Sequence, residues 1–383
     1  MKSPKDQSLH TRRQFLRTSL LGGALAPTVP LFFGKTFLTQ DSMAAATPSR
    51  YSSGKDSTVL VVLQLVGGND GLNTLVPYAD DAYYKSRPKI ALPVDQVIKL
   101  DDASGLHPRL TAFSELYGEG HLGLIQGVGY PNPNRSHFRS TEIWQTASDA
   151  DRNRNDGWLG RYFDSCCRGS DPNVGVAIGG DTPQAFGSPG SRGMAISDPE
   201  QFRYMMSSDR IPEISGRTKS TVDYPRTQLG NSLNLVSRLI AGGLPTRVYY
   251  ASQGGFDTHA NQLPAHERLM TDLNAAISAF VADLKAQGNF NRVLMLSFSE
   301  FGRRVSENAS GGTDHGAAAP LFVLGGGVKP GLYGKYPSLT DLHDGDLQFT
   351  TDFRSVYATV LEKWLGVPSG EILGRTFPLL PFI

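Results

Sequence analysis

Four short clusters of polar residues carry the side chains best suited to chemistry in this 383-residue sequence. They occupy residues 67–70, 254–259, 299–304 and 312–316. Each contains a carboxylate and two also contain an imidazole, and these are the oxygen and nitrogen ligands that hard or borderline divalent cations bind. Together the clusters indicate the site of a metal-dependent hydrolase.

Asp257 and His259 form the most suggestive pair, because they flank a single threonine. In an extended segment, residues two apart leave the backbone on the same side, so both side chains can bind one ion. The alternative is a solvated loop in which Asp257 caps a helix.

We predict four further metal ligands in the other clusters. Asp70 follows two glycines that allow a sharp turn after an apolar run. A plain turn is the alternative for Asp70, because Gly-Gly-Asn-Asp-Gly is rich in turn formers. Glu300 directly follows another apolar run, and Asp314 and His315 follow a short glycine-rich loop.

Ser136, which opens a predicted helix, is the candidate nucleophile. The N-terminus of a helix favours an incoming anion, and a nearby dication lowers the pKa of a hydroxyl group. A serine at this position can instead serve only as the helix cap. The neighbouring His137 is a candidate ligand, a candidate acid or a packed core residue.

Two arginines are candidates for binding substrate. Arg135 precedes Ser136, and Arg303 precedes Arg304. A guanidinium group can donate two parallel hydrogen bonds to the oxygens of a phosphate or sulfate group. The alternative for the pair at 303–304 is surface charge.

Apolar runs that alternate with helical patterns must position these side chains. The predicted strands are 58–66, 122–128, 246–251, 292–299 and 320–324. The predicted helices are 108–117, 136–147, 158–167, 228–241, 264–287 and 352–365. Such alternation predicts an α/β fold, a mostly parallel central sheet with helices on both faces. Ligands bind at the carboxyl ends of strands in such sheets, where the polar clusters lie.

Two segments stand outside this pattern. Residues 168–226 are rich in Gly, Pro, Ser and Asp and contain a single strand-like run at 174–178, so we predict an irregular insertion or cap within a domain at 47–383. Residues 1–46 contain Arg12-Arg13, a modest apolar run and a small-residue cleavage site. They predict a twin-arginine signal peptide, with an uncleaved anchor as the alternative. We therefore expect export of the folded protein through the Tat machinery to the periplasm or the cell exterior.

The composition limits the classes of partner that we expect for this protein. The sequence has 37 basic and 36 acidic residues, a net charge of +1. We expect no nucleic-acid partner, because this balance lacks polyelectrolyte character. No segment after the leader is apolar enough to span a bilayer, so we expect no stable membrane span after cleavage. Cys166 and Cys167 are adjacent and cannot form a structural disulfide framework, so stability must come from the core.

Taken in order, six motifs resemble one known family. They are the twin-arginine leader, Gly-Gly-Asn-Asp-Gly-Leu-Asn-Thr-Leu-Val-Pro, Asn-Arg-Ser-His-Phe, Phe-Asp-Thr-His, Ser-Glu-Phe-Gly-Arg and Gly-Thr-Asp-His-Gly. This set resembles the exported bacterial domain of unknown function 1501 over residues 58–365. The resemblance implies the alkaline phosphatase and sulfatase superfamily, with an α/β sandwich that binds two metals at the carboxyl edge of its sheet.

The resemblance also implies roles for individual residues. Asp70 resembles the bridging aspartate and Ser136 the nucleophile. Asp257, His259 and His315 look like the ligands of one metal, and Glu300 looks like a ligand of the other. The implied activity is hydrolysis or transfer of a phosphate or sulfate ester, on a small molecule or a polymer, with one or two Zn, Mn, Ca or Mg ions.

Two positions depart from the superfamily pattern. Phe301 follows Glu300 where the superfamily commonly has Asp-His, and Asp257 and His259 are two residues apart where four are usual. These changes permit a single metal, an ion that accepts more oxygen ligands, or a non-catalytic periplasmic binding or assembly protein on the same scaffold.

Overall fold

The continuous apolar runs form buried strands of one central sheet. A computed structural model describes residues 57–167, 172–190, 193–197, 220 and 222–383. In it, all seven residues of strand β1 (Val59–Leu65) are buried. A strand covered on both faces can be apolar at every position, which explains why this run does not alternate.

The elements have the following bounds. The strands after β1 are β2 Leu75–Val76, β3 Ile98–Lys99, β4 Gly105–Leu106, β5 Leu122–Gly129, β6 Gly175–Ile178, β7 Met194–Ile196, β8 Val248–Gln253, β9 Val293–Phe298, β10 Ala319–Gly325, β11 Gly331–Tyr333, β12 Leu342–His343, β13 Asp346–Leu347 and β14 Thr351–Asp352. The α-helices are α1 Asp81–Ser86, α2 Thr111–Gly118, α3 His137–Thr146, α4 Trp158–Cys166, α5 Gln228–Ala241, α6 Gln262–Ala286, α7 Phe353–Thr359 and α8 Ser369–Leu373.

The central sheet is mostly parallel. Its strands lie in the order β11, β5, β10, β9, β1, β8, β6, β7, and β14 also pairs with β5. Strand β10 is antiparallel to both β5 and β9, and the other pairs are parallel. This topology confirms the predicted fold class.

Helices cover both faces of the sheet. Successive residues of β1 point to opposite faces. Leu60 and Val62 pack into a core that includes Trp144 of α3. Val61 lies in a second core, together with Phe280 of α6. Each face of the sheet therefore has its own hydrophobic core.

The direction of β10 decides where the polar clusters meet. Strands β1, β5, β8 and β9 share one direction, so their carboxyl ends lie at one edge of the sheet. Because β10 runs the opposite way, the segment that precedes it lies at that same edge. The clusters at 67–70, 254–259, 299–304 and 312–316 are thereby brought together with the start of α3.

Part of the predicted insertion belongs to the sheet. Within residues 168–226, β6 pairs with β8 and β7 pairs with β6, so this segment extends the edge of the sheet. Much of the remainder lies outside the described residues, and its role as a cap stays a prediction. The predicted signal peptide at 1–46 also lies outside them.

Two further features, a disulfide and the hydropathy of the helices, bear on the expected export. Cys166 and Cys167 form a disulfide with each other, which joins no distant segments and leaves the cores as the source of stability. Among the described residues, no helix is both long and apolar enough to cross a bilayer.

Candidate metal centre

Glycines allow the loops at this edge to pack backbone against backbone. Gly67, two residues after the end of β1, has a φ of +118°, and a Cβ there would lie 2.5 Å from the backbone nitrogen of Asp257. A Cβ at Gly312 would lie 2.3 Å from the carbonyl carbon of His259. Any side chain at either position would therefore push two loops apart.

The carboxylate of Asp257 lies among three imidazole rings. Its Oδ1 is 3.0 Å from Nε2 of His259 and 3.0 Å from Nε2 of His315. Its Oδ2 is 3.5 Å from Nε2 of His137. The candidate ligand atoms of His137, Asp257 and His315 all lie within 4.8 Å of one another. We name His137, Asp257, His259 and His315 the imidazole cluster.

Hydrogen-bond acceptors hold two of these rings from behind. Nδ1 of His137 is 2.9 Å from Oε1 of Glu300. Nδ1 of His315 is 2.9 Å from the backbone carbonyl oxygen of Arg135. A carbonyl oxygen can only accept, so Nδ1 of His315 carries the proton, and a carboxylate imposes the same arrangement on His137. The Nε2 lone pairs of both rings are then directed at Asp257.

Asp314 supports the third ring. Its Oδ1 lies 3.5 Å from Nδ1 of His259 and accepts a hydrogen bond from the side-chain amide of Asn308, 3.1 Å away. The hydrogen bond from Asn308 is the main cause that holds the pKa of Asp314 below its ordinary value. Asp314, which we predicted as a metal ligand, therefore lies behind His259 and orients it.

The cluster has the chemistry of a cation site. Nε2 of His259 is 2.9 Å from Nε2 of His315. With protons on the Nδ1 atoms, two lone pairs face each other at this distance, and they repel unless a proton or a metal ion lies between them. Imidazole nitrogens together with a carboxylate oxygen suit a borderline divalent ion such as Zn²⁺. The residues therefore fit the metal that the sequence predicts.

Arg303 joins the loops of the site and does not face open solvent. The residue is 1% exposed. Its Nε donates to the carbonyl oxygen of Gly68 at 2.7 Å, and its Nη1 donates to the carbonyl oxygen of Thr313 at 2.8 Å. Its Nη2 donates to Oδ1 of Asp257 at 2.7 Å. This differs from the predicted role in binding an anion, because the protein itself already uses the guanidinium donors.

The same contacts keep Asp257 ionised. Partial burial alone would raise its pKa, but the hydrogen bond and the positive charge of Arg303 lower the pKa of Asp257 to about 2. A carboxylate that stays charged at neutral pH is a suitable ligand for a divalent ion.

Asp70 lies apart from the cluster in a buried ion pair. Its Oδ2 is 2.6 Å from Nη1 of Arg87, and both side chains are fully buried. Its Oδ1 accepts the backbone N–H of Leu72. Burial alone would raise the pKa of Asp70, but Arg87 lowers it. This differs from the predicted role of Asp70 as a metal ligand, because the guanidinium of Arg87 already neutralises the carboxylate.

Gln262, at the start of α6, connects this ion pair to the site. Its Nε2 donates to Oδ2 of Asp70. Its Oε1 accepts hydrogen bonds from the hydroxyls of Thr258, at 3.1 Å, and Thr313, at 2.6 Å. These two threonines lie in the loops that carry the imidazole cluster. Asp70 and Gln262 therefore position those loops from beneath.

Glu300 and Phe301 occupy the space beside the cluster. Oε1 of Glu300 accepts the backbone N–H of Gly67 at 2.8 Å, in addition to its contact with His137. Its Oε2 is buried and has no hydrogen-bond partner among the described residues. The ring of Phe301 lies 4.4 Å from that of His315, centroid to centroid. Phe301 thus places a ring without a ligand atom against His315.

Ser136 and Arg135 lie at the rim of the site. Ser136 is the exposed N-cap residue of α3, and within the described chain its side chain makes no capping hydrogen bond. The alternative that Ser136 serves only as a helix cap therefore loses its main support. Nη2 of Arg135 is 2.6 Å from Oδ2 of Asp346, and the Arg135 side chain is 38% exposed.

Sequence reasoning missed two contributors to the site. Arg87 and Gln262 are buried organisers whose partners are distant in the sequence. Neither lies in a polar cluster after an apolar run, so no local signal identifies them. His137 was recognised, but the ligand alternative was only one of three.

The fold and the site define an α/β protein with a candidate metal centre at the carboxyl edge of its sheet. The chain belongs to the family described as "Protein of unknown function (DUF1501)", whose profile matches residues 181–373, just over half of the sequence. This match confirms the family resemblance inferred from the motifs. No curated protein matches the sequence.

Solved structures of the alkaline phosphatase and sulfatase type are similar at low identity. A protein in the alkaline phosphatase superfamily from Vibrio parahaemolyticus is 11% identical, with 89% of this chain and 77% of that chain covered and a TM-score of 0.44. The lipoteichoic acid synthase LtaP from Listeria monocytogenes is 9% identical, with 89% and 80% covered and a TM-score of 0.43. The phosphonate monoester hydrolase SpPMH from Silicibacter pomeroyi is 11% identical, with 84% and 77% covered and a TM-score of 0.38. At these scores, no ligand or activity carries over to this chain.

Proposed function

We propose that this chain is an exported, metal-dependent hydrolase or transferase that acts on phosphate or sulfate esters. The observation that carries the proposal is the convergence of three imidazole Nε2 atoms on Asp257, two of them with Nδ1 held at 2.9 Å by an acceptor. Such rear support is characteristic of histidines that bind metals. The residues that would hold the ion are Asp257, His315, His259 and His137.

The cluster is open to substrate. The side chains of Asp257, His259 and His137 are 46%, 44% and 37% exposed, so an ester group can reach them from solvent. A divalent ion bound here supplies Lewis-acid stabilisation of negative charge on a phosphate or sulfate oxygen. One ion is proposed, because Asp70 is paired with Arg87 and Phe301 offers no ligand atom.

Ser136 is the proposed nucleophile. It precedes His137 of the cluster and caps the ten-residue helix α3, whose N-terminal N–H groups favour an anion. A bond forms from its Oγ to phosphorus or sulfur as the bond to the leaving alcohol breaks, and the hydroxyl proton passes to solvent. Water then hydrolyses the seryl ester. Arg135, half-exposed beside Ser136, is the proposed contact for the equatorial oxygens.

The experiment joins metal analysis to turnover. Protein purified without chelator is analysed by inductively coupled plasma mass spectrometry and assayed on phosphate monoesters, phosphate diesters and sulfate esters. We expect about one metal ion per chain and turnover that Ser136→Ala lowers at least about a thousandfold. Ser278→Ala, an exposed serine on α6, is the matched control and should keep full turnover.

A non-catalytic binding or assembly protein is the second candidate. It is favoured by the two positions where a second metal would lose its ligands, the Asp70–Arg87 ion pair and Phe301. Bound metal without turnover on any ester would select it. If the protein has neither bound metal nor turnover, the first proposal is refuted and only the non-catalytic binding or assembly protein remains.

A further inference from the structure

A groove opens directly beside the imidazole cluster. Its volume is about 660 Å³, within the range of small-molecule sites. Arg135 belongs to both places, since its carbonyl oxygen accepts from Nδ1 of His315 while its side chain lines the groove. Ala317, two residues after His315, also lines it. A substrate with its ester group at the cluster therefore extends naturally into this groove.

Two stiff walls form the groove. One is the loop at 131–135, in which Pro131 and Pro133 restrict the backbone on either side of Asn132. The other is the β12–β13 hairpin and the residues that follow it. The ion pair between Arg135 and Asp346 spans the two walls, with Nε to Oδ2 at 2.8 Å. The groove is thus preformed and needs little ordering on binding.

The lining is nearly neutral and rich in hydrogen-bonding groups. Asp346 pairs with Arg135 and also lies 3.6 Å from Nε of Arg304, while Asp344 at the hairpin turn lies 4.0 Å from Nδ1 of His343. The uncharged donors and acceptors are Asn132, Asn134, His343 and Gln348. The ring of Phe349, 36% exposed, adds an apolar face, and Pro131, Pro133, Ala317 and Leu347 supply further apolar surface.

This chemistry distinguishes the possible occupants. A second anionic group would meet the carboxylate of Asp344, and the two arginines nearby, Arg135 and Arg304, already pair with Asp346. An acyl chain requires a continuous apolar surface, and amide side chains interrupt this one. A sugar ring presents hydroxyls at its edge and C–H groups on its face, and it matches amides around an aromatic ring.

We propose that the groove binds a neutral sugar unit, so that the leaving group of the ester is the hydroxyl of a sugar. The proposal rests on the proposed function, since it names the alcohol half of the same substrate. The reaction is the one described above with a sugar as the leaving alcohol. The sugar oxygen leaves with the bonding electron pair and takes up a proton from solvent.

The test compares two esters of the same acid. Glucose 6-phosphate or glucose 6-sulfate reaches the groove, whereas ethyl phosphate or ethyl sulfate has a leaving group too small to do so. We expect the sugar ester to have the higher kcat/KM, and Phe349→Ala to lower the ratio of the two values by about tenfold. Leu379→Ala, which removes a side chain of equal exposure outside the groove lining, should leave the ratio unchanged.

His343→Ala is the second groove variant, because it removes a hydrogen-bonding group from an exposed position where folding is not at risk. It should lower the same ratio. An unchanged ratio in both groove variants would overturn the sugar assignment while ester hydrolysis stands.

Sugar binding can also be measured without turnover. Saturation-transfer NMR of Ser136→Ala protein with methyl glucoside should show contacts that Phe349→Ala weakens. If no ester is hydrolysed, the proposed function fails, and this measurement alone tests whether the groove binds a sugar. A signal that is lost in Phe349→Ala supports sugar binding, and the absence of any signal overturns it.

Discussion

Glu300 shows how burial changes the role of a residue at the site. Its carboxylate is 0% exposed and lies behind His137, with Oε1 shared between the ring N–H and the backbone N–H of Gly67. In this position it fixes the direction of the imidazole. A group that orients a ligand affects metal affinity, whereas a direct ligand of a second ion would affect metal stoichiometry.

Glu300→Gln should therefore weaken metal binding about 10- to 100-fold at unchanged stoichiometry. The amide retains one acceptor but loses the charge that favours the His137 N–H. Chelator competition measures the affinity, and elemental analysis measures the number of ions. Glu119→Gln, an exposed glutamate at the end of α2, is the control. Loss of one whole ion per chain would instead make Glu300 a ligand.

At the scale of elements, helix α6 contacts the site loops through buried histidine side chains that are neutral in the folded protein. His266 on α6 places Nε2 3.1 Å from Oδ1 of Asn69. His107 accepts the backbone N–H of Arg109 at its Nδ1, and the rings of His107 and His266 contact edge to face. Burial lowers the pKa of His107 to about 3 and that of His266 to about 4.

These shifts predict a loss of stability in mild acid. Histidines in the unfolded chain take up protons as the pH falls through about 6.5, while the folded chain resists until about pH 4. Stability from each neutral ring is complete above pH 6.5 and declines below it by on the order of 1 kcal/mol per pH unit. Urea unfolding at pH 7.5, 6.0 and 4.5 measures this slope.

His107→Asn provides the matched variant for the pH series. The side-chain oxygen of asparagine can accept the Arg109 N–H in place of Nδ1, but it does not titrate. The variant should therefore unfold with a shallower dependence on pH between 6.5 and 4.5. An identical slope in both proteins would show that His107 is charged in the folded state or contributes nothing.

At the scale of the whole molecule, local patterns predicted the elements well. The predicted strand at 58–66 is observed as Val59–Leu65, and the predicted helix at 264–287 as Gln262–Ala286. Apolar periodicity reports burial directly, because each face of an element must be covered. The edge at which the clusters gather also followed from this reading.

Contacts between distant residues could not be predicted in the same way. Asp70 looks like an exposed ligand from its neighbours, yet Arg87 on a different element lies against it. Arg303 looks like a surface charge or an anion contact, yet its donors turn inward to loop carbonyls. Which partner a polar side chain meets depends on the packing of loops, and single-sequence patterns do not encode that packing.

The imidazole cluster should couple metal binding to the stability of the whole domain. The folded chain holds Asp257 and three imidazoles together, whereas the unfolded chain disperses them, so an ion binds the native state selectively. At a free-ion concentration 100 times the Kd, the stabilisation is about 2.7 kcal/mol. For a chain of this length, that raises Tm by roughly 4 °C.

Differential scanning calorimetry with and without Zn²⁺ or Mn²⁺ measures this shift, and excess chelator should reverse it. His315→Ala removes one Nε2 donor and relieves its 2.9 Å contact with Nε2 of His259. We therefore expect this variant to lose the response to metal, with the shift measured from its own metal-free Tm, because the His315 side chain is only 20% exposed and its removal also costs packing. Equal shifts in both proteins would place the metal elsewhere, because an ion that stabilises the fold without His315 cannot depend on the imidazole cluster.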